Sequence, residues 1–186
     1  YNIQGLLSHV AELTAVIRQS KIMPSLLCFN ETFLDESIHD VCIEGYTVIA
    51  RRDRADGRKG GGVAVYALQA IASQITLVEK STTISERILV VMHTDTGPYL
   101  LGVWYRPPEP GETASINSFE EEWQRLSVDV LGTILVGDIN VHHIRWLRYS
   151  SRNSAEGELL RDICDSIGLR QLVCEPTRGG NLLDLA

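Results

Sequence analysis

Two apolar runs, Arg87-Ile88-Leu89-Val90-Val91-Met92-His93 and Tyr99-Leu100-Leu101-Gly102-Val103-Trp104-Tyr105, flank the tetrapeptide Asp95-Thr96-Gly97-Pro98. Turn formers between two such stretches predict a hairpin, so at least one pair of strands runs antiparallel. A strict alternation of strand and crossover helix has no place for that pair, which removes the purely parallel α/β layouts. Elsewhere helical and strand periods alternate. Leu6, Val10, Leu13 and Ile17 share one helix face, and Pro24 follows the helix end. Ile116, Phe119, Trp123, Leu126 and Val130 form a second amphipathic stretch, with Asn117 and Glu120 at capping-box spacing. Leu159, Leu160, Ile163 and Ile167 form a third. Leu26-Leu27-Cys28-Phe29, Tyr46-Thr47-Val48-Ile49-Ala50 and Gly61-Gly62-Val63-Ala64-Val65-Tyr66 read as strands. The expected architecture is α/β, with sheets packed together and helices outside.

The outer bounds agree. A chain of 186 residues with 44% apolar content suits one domain, residues 1–186, with a real core. No segment approaches the roughly 18 uninterrupted apolar residues of a membrane span, and no secretory signal precedes the first strand. The chain opens on Tyr1-Asn2-Ile3 without an initiator Met and is expected to be part of something longer. Cys28, Cys42, Cys164 and Cys174 are far apart with no CxxC pair, so free thiols are a better reading than disulfides or a structural zinc.

The chemistry gathers where strands end. Thr133-Ile134-Leu135-Val136-Gly137-Asp138-Ile139-Asn140 is a short β-branched run that delivers a carboxylate and an amide two residues apart. Positions i and i+2 of an extended segment share one side, and ligand crevices in open α/β sheets lie beyond strand C-termini. A plain Gly-Asp-Asn turn is the competing reading. Asn2, Glu31 and Tyr105 also sit at strand ends. If the ends converge, two carboxylates, two amides and a phenol share one crevice. Such an oxygen-rich set with few carboxylates suits Mg²⁺ (Mn²⁺ as the alternative), and no thiolate–imidazole cluster favours zinc. The matching chemistry is hydrolysis of a phosphate ester.

Charge adds one more feature. The formal net charge is −7, which speaks against a general nucleic-acid footprint. Yet Arg51-Arg52-Asp53-Arg54-Ala55-Asp56-Gly57-Arg58-Lys59 holds five cations against two anions, a local +3. It reads equally as a solvated loop between strands and as a finger that contacts phosphates.

Asn2-Ile3-Gln4-Gly5-Leu6, Asn30-Glu31-Thr32, Gly61-Gly62-Val63-Ala64-Val65-Tyr66, Tyr105-Arg106-Pro107-Pro108 and Gly137-Asp138-Ile139-Asn140 occur in the order seen in the endonuclease/exonuclease/phosphatase superfamily. The chain most resembles the apurinic-type endonuclease domain of non-LTR (LINE-like) retrotransposons. Val141-His142-His143 with Trp146, and the run Glu175-Pro176-Thr177-Arg178-Gly179-Gly180-Asn181-Leu182-Leu183-Asp184-Leu185, favour that branch. The resemblance implies a four-layer α/β sandwich, two packed mixed sheets flanked by helices and incomplete at the C-terminus. It implies Mg²⁺-dependent nicking of DNA, in a polyprotein with a reverse transcriptase and without a membrane partner. By the same resemblance Glu31 binds the metal with support from Asn2, and Tyr105 contacts the phosphate. Asp138 aligns the attacking water, Asn140 orients the phosphate, and Asp184 orients a catalytic His. Arg51, Arg52, Arg54, Arg58, Lys59 and His143 are the expected DNA contacts. A DNA target implies the nucleus.

Two departures bear on activity. Gln4 stands where many relatives carry an Asp near the metal, and the family's final Ser-Asp-His segment does not occur before Ala186. None of the five histidines replaces the missing one by motif. The isolated 186 residues are therefore expected to be weak or inactive, since acid–base and electrostatic contributions are each commonly worth orders of magnitude. Two other readings stay open: a phosphoesterase of the same superfamily acting on a small molecule or lipid headgroup, and a decayed copy that at most binds nucleic acid.

Overall fold

The structure, a computed structural model, describes residues 1–39, 41–55, 60–82, 84–147 and 150–173, with the backbone of 184–185. Helix α1 spans Leu6–Gln19, followed by strands β1 (Leu26–Asn30), β2 (Tyr46–Arg52) and β3 (Val63–Leu68). A single 3-10 turn, Ala72–Gln74, leads into β4 (Ile75–Lys80). The expected hairpin is β5 (Glu86–Thr94) with β6 (Gly97–Tyr105), in antiparallel register from Thr94 opposite Gly97 to Glu86 opposite Tyr105. Helix α2 (Ala114–Leu126), β7 (Gly132–Asp138), α3 (Ala155–Ser166) and the short β8 (Asp184–Leu185) complete the order.

Two sheets form. β1-β3-β2 is antiparallel throughout, and β4-β5-β6-β7-β8 is mixed, with β7 parallel to β6. Three apolar layers show how they stack. Val63 and Val65 of β3 meet Ile88, Val90, Leu101 and Val103 between the sheets. On the opposite face of the first sheet, Phe29 and Tyr66 pack under Leu6 and Ile17 of α1. On the opposite face of the second, Leu89, Leu100, Trp104 and Leu135 pack under Ile116, Phe119 and Trp123 of α2 and Leu160 and Ile163 of α3. The order is helix, sheet, sheet, helices: four layers, as expected. Strands covered on both faces have no reason to alternate, which is why β3, β5 and β6 read as unbroken apolar runs.

Local details depart from the sequence-based expectations. Helix α2 begins at Ala114, three residues before Asn117, and no capping box forms. The carboxylate of Glu112 instead accepts from the Ser115 amide and hydroxyl, placing a negative charge at the helix N-terminus. Strand β4 carried no clear period, because it is an edge strand that leaves Leu77 and Val78 about 40% exposed. Arg87 is fully buried within the run that forms β5. Its guanidinium lies 4.7 Å from the Trp104 ring centroid and donates to Glu122 of α2 at 2.7 and 3.0 Å, tying that helix to the sheet.

Cys28, Cys42 and Cys164 are free thiols, and Cys174 lies outside the described residues. Burial pushes the Cys28 thiol up to about 11 and the Cys164 thiol to about 12, so neither forms an appreciable thiolate at neutral pH. Among the described residues no helix is long and apolar enough to cross a membrane.

Candidate active site

The strand tips meet. Residues 1–3 run parallel to the end of β1: the Asn30 amide donates to the Tyr1 carbonyl at 3.0 Å, and the Ile3 amide donates to the Asn30 carbonyl at 2.9 Å. That short ladder sets Asn2 beside Glu31. The Asn2 Nδ2 then donates to both carboxylates, at 2.9 Å to Glu31 Oε1 and 3.0 Å to Asp138 Oδ2. One carboxamide thus joins residues 2, 31 and 138, which come from the chain start, the turn after β1 and the end of β7.

The backbone around these groups is strained. Among the described residues, the non-glycine residues with positive φ are Gln4, Glu31, Phe33 and Asn140, at 48–55°. All four flank the tips that carry the polar groups, and such conformations persist only where the surroundings hold them. The turn at Glu31 is held by the Thr32 and Phe33 amides, which donate to Gly62 and Gly61 carbonyls at 3.3 and 3.0 Å. Asn140 has left the strand, so the i and i+2 argument does not describe it. Its Nδ2 donates to the Arg106 carbonyl at 2.9 Å, which anchors it beside the end of β6.

Asp138 is 2% exposed and lies opposite Tyr105 in the parallel β6–β7 register. The approach at the preceding residue is close: a Cβ on Gly137 would fall 1.8 Å from the Trp104 carbonyl oxygen. Burial raises the Tyr105 phenol above its usual range. The Glu31 and Asp138 charges add to this, while hydrogen bonding and charge from Arg54 oppose it. At neutral pH the phenol therefore keeps its proton and can donate it in a hydrogen bond.

The donor set fits a hard divalent cation. Asn2 Oδ1 is a buried oxygen with no hydrogen-bond partner among the described residues, next to two carboxylates. No group of three or more His, Cys, Asp and Glu suited to a metal occurs among the described residues. Two carboxylates and an amide oxygen suit Mg²⁺, which keeps several waters and completes its shell from a substrate phosphate. Bound there, the cation would polarise a phosphoryl oxygen and neutralise developing charge.

In the described part of the basic segment, the arginines bond to the protein, unlike those of a solvated loop. Arg51 donates to the carbonyls of Ile38 at 2.5 Å and Asp35 at 2.7 Å and pairs with Asp53 at 2.7 Å. Arg52 donates to the carbonyls of Ser81 at 2.8 Å and Asp53 at 2.7 Å. Arg54 is 9% exposed and pairs with Glu86, itself 1% exposed, at 2.9 Å. Arg58 and Lys59 lie outside the described residues.

His143 is buried: its Nδ1 accepts from the Trp146 amide at 2.9 Å and its Nε2 meets Glu158 at 3.2 Å, so it holds the loop after β7. Any bearing on DNA would come through that loop. Asp184 contributes its backbone, paired opposite Asp138, and its side chain lies outside the described residues. Gln4 is exposed. Glu86, which no motif marked, sits one position before an apolar run with nothing to distinguish it from a strand-end acid. A separate groove of about 790 Å³ between α1 and the β1 and β5–β7 surfaces touches this site through Asn2 and is otherwise largely apolar.

Neither a family model nor a curated protein sequence matches the chain. Solved structures do. The endonuclease domain of TRAS1, a telomere-specific non-LTR retrotransposon, superposes with a TM-score of 0.63 at 19% identity, over 100% of this chain and 80% of that one. The 3' phosphatase NExo from Neisseria, bound to a product DNA hairpin, gives 0.66 at 12% identity, over 99% and 82%. An AP endonuclease from Archaeoglobus fulgidus gives 0.57 at 13%, over 99% and 82%. These likenesses are of fold. The class they define is a layered α/β sandwich. More particularly, the chain has the fold of the endonuclease/exonuclease/phosphatase superfamily.

Proposed function

We propose that the chain is a divalent-cation-dependent phosphodiesterase that nicks DNA, as a module of a retrotransposon polyprotein that also carries a reverse transcriptase and acts in the nucleus. The observation that carries this reading is the Asn2 carboxamide bridging Glu31 and Asp138. The likeness in fold to the TRAS1 endonuclease domain supports the choice of substrate.

In this reading Glu31 and Asn2 Oδ1 hold the cation, with Mg²⁺ preferred and Mn²⁺ accepted. Asp138, buried and held by the Asn2 amide, orients and deprotonates the attacking water. Tyr105 donates its phenolic proton to a phosphoryl oxygen. The second N–H of Asn140 does the same, its first being taken by the Arg106 carbonyl. Asp184 would orient a histidine. Duplex contacts fall to Arg58 and Lys59 and to whatever donor capacity Arg51, Arg52 and Arg54 keep beyond their bonds to the protein. Such contacts position the backbone without reading sequence.

Nicking of supercoiled plasmid tests the proposal, with Mg²⁺, with Mn²⁺ and with chelator. The expected result is slow, chelator-sensitive nicking that falls by about 10²-fold or more in Asp138→Asn, the usual worth of a positioned acid–base group. Nicking that survives both Asp138→Asn and Glu31→Gln contradicts the assignment. Phosphate release from inositol phosphates without nicking moves the substrate to small molecules.

A further inference from the structure

We propose that Arg54 is a positioning residue for Tyr105, clamped by Glu86 and by the bare backbone of Gly61 so that it fixes the phenol at the end of β6 beside Asp138. This rests on the functional reading above for the use of the phenol, and on geometry alone for the clamp.

A surface cation in a charged segment would be solvated, but this one is not. The Arg54 side chain is 9% exposed and its Nη2 is closed off from solvent. Its partner Glu86 is still more buried and lies opposite Tyr105 in the β5–β6 register. The acid that anchors the guanidinium and the phenol that it serves are therefore fixed by one strand pair. The Arg54 Cζ lies 5.5 Å from the Tyr105 ring centroid. A buried ion pair is weak support for stability, because desolvating two charges offsets their attraction. A role in placing a third group accounts for keeping it.

Gly61 closes the other side. A Cβ there would fall 2.5–2.6 Å from Nη2, Cζ and Nε of Arg54, so the guanidinium plane lies directly on the glycine backbone. The same glycine accepts from the Phe33 amide in the strained turn that carries Glu31. One seat thus links the metal-side turn to the phenol. The Arg54 charge also opposes the effect of burial on Tyr105. Lys would not replace it, since an ammonium lacks the planar fork that spans Glu86 and the ring.

The experiment reads the phenol itself. In metal-free protein at neutral pH, with tyrosines labelled at ¹³Cζ and the Tyr105 signal assigned by Tyr105→Phe, Arg54→Met is expected to shift that resonance. Arg54→Lys should restore it only in part. Glu86→Gln, which keeps an acceptor for Nε, should move the signal in a folded background if Arg54→Met does not fold. A Tyr105 signal unchanged in a folded variant of either kind overturns the proposal, whether or not the protein is a nuclease. On plasmid, Arg54→Met and Tyr105→Phe are expected to lower kcat about equally at similar KM, the double variant being no worse than either. Additive losses overturn it. If the unsubstituted chain does not nick, the resonance alone decides the clamp.

Discussion

Asn2 and Asp138 are 136 positions apart in the chain, yet the Asn2 amide donates to the Asp138 carboxylate at 3.0 Å. The same Nδ2 serves Glu31, so two carboxylates that would repel one another are held at one point by a neutral donor. Replacing it tests that organisation. Asn2→Ala is expected to weaken divalent-cation affinity about 10- to 100-fold, the usual effect of losing a group that orients ligands, with the fold retained. Calorimetric Mn²⁺ titration and a thermal melt check both parts.

Gly137→Ala places a methyl group where the Trp104 carbonyl oxygen now lies, 1.8 Å away, and the obstacle is backbone that cannot rotate aside. The parallel β6–β7 pair must separate locally, one residue before Asp138. A loss of about 1–3 kcal/mol or more is expected in urea unfolding, as for overpacking elsewhere, together with lost cation binding. Unchanged stability would mean that the two strands do not approach so closely.

Arg87 and Glu122 form a buried pair under two aromatic rings. Glu122→Leu alone should destabilise by about 3–5 kcal/mol, because it leaves a guanidinium that burial already disfavours in its charged form with only the neutral Ser115 carbonyl and Ser118 hydroxyl as acceptors. Arg87→Met with Glu122→Leu should recover most of that loss, since an apolar pair of similar size replaces the ions. Denaturant midpoints of the two single variants and the double variant decide the matter.

Glu156 sets a pH dependence. Burial acts to raise its carboxyl pKa, but hydrogen bonds from its own amide, from Gly111 and from Ser154, with the Arg106 charge, outweigh this and lower it. An acid whose folded pKa lies below its unfolded one contributes stability above the unfolded value, about 4.3, and loses it as pH falls through the folded one. Glu156→Gln should therefore reduce stability at neutral pH and flatten its fall below about pH 4. A variant whose acid limb follows the unsubstituted chain would contradict the assignment.

The layers were legible because periodicity reports burial: the hairpin, α1 and the run into Asp138 all read directly from apolar spacing. Strand β4 was not, since an edge strand with Leu77 and Val78 partly exposed has no clean pattern, and pairing with β5 decides its state. The start of α2 was misplaced because Asn117 and Glu120 have capping spacing, whereas Glu112 supplies the acceptor from outside the helix. Convergence of Asn2, Glu31 and Asp138 followed from motif order and not from any local rule. The burial of Arg54 left no trace in sequence, because its partner Glu86 is 32 positions away. Left-handed backbone at Glu31 and Asn140 was equally hidden, being imposed by the surrounding turns on residues that do not need it.

The most direct measurement is Mn²⁺ binding followed by electron paramagnetic resonance, in the unsubstituted chain and in Glu31→Gln. The account predicts one stoichiometric site that Glu31→Gln weakens at least tenfold and that Mg²⁺ displaces. Stoichiometric binding left unchanged by Glu31→Gln, or no binding at all, would contradict it.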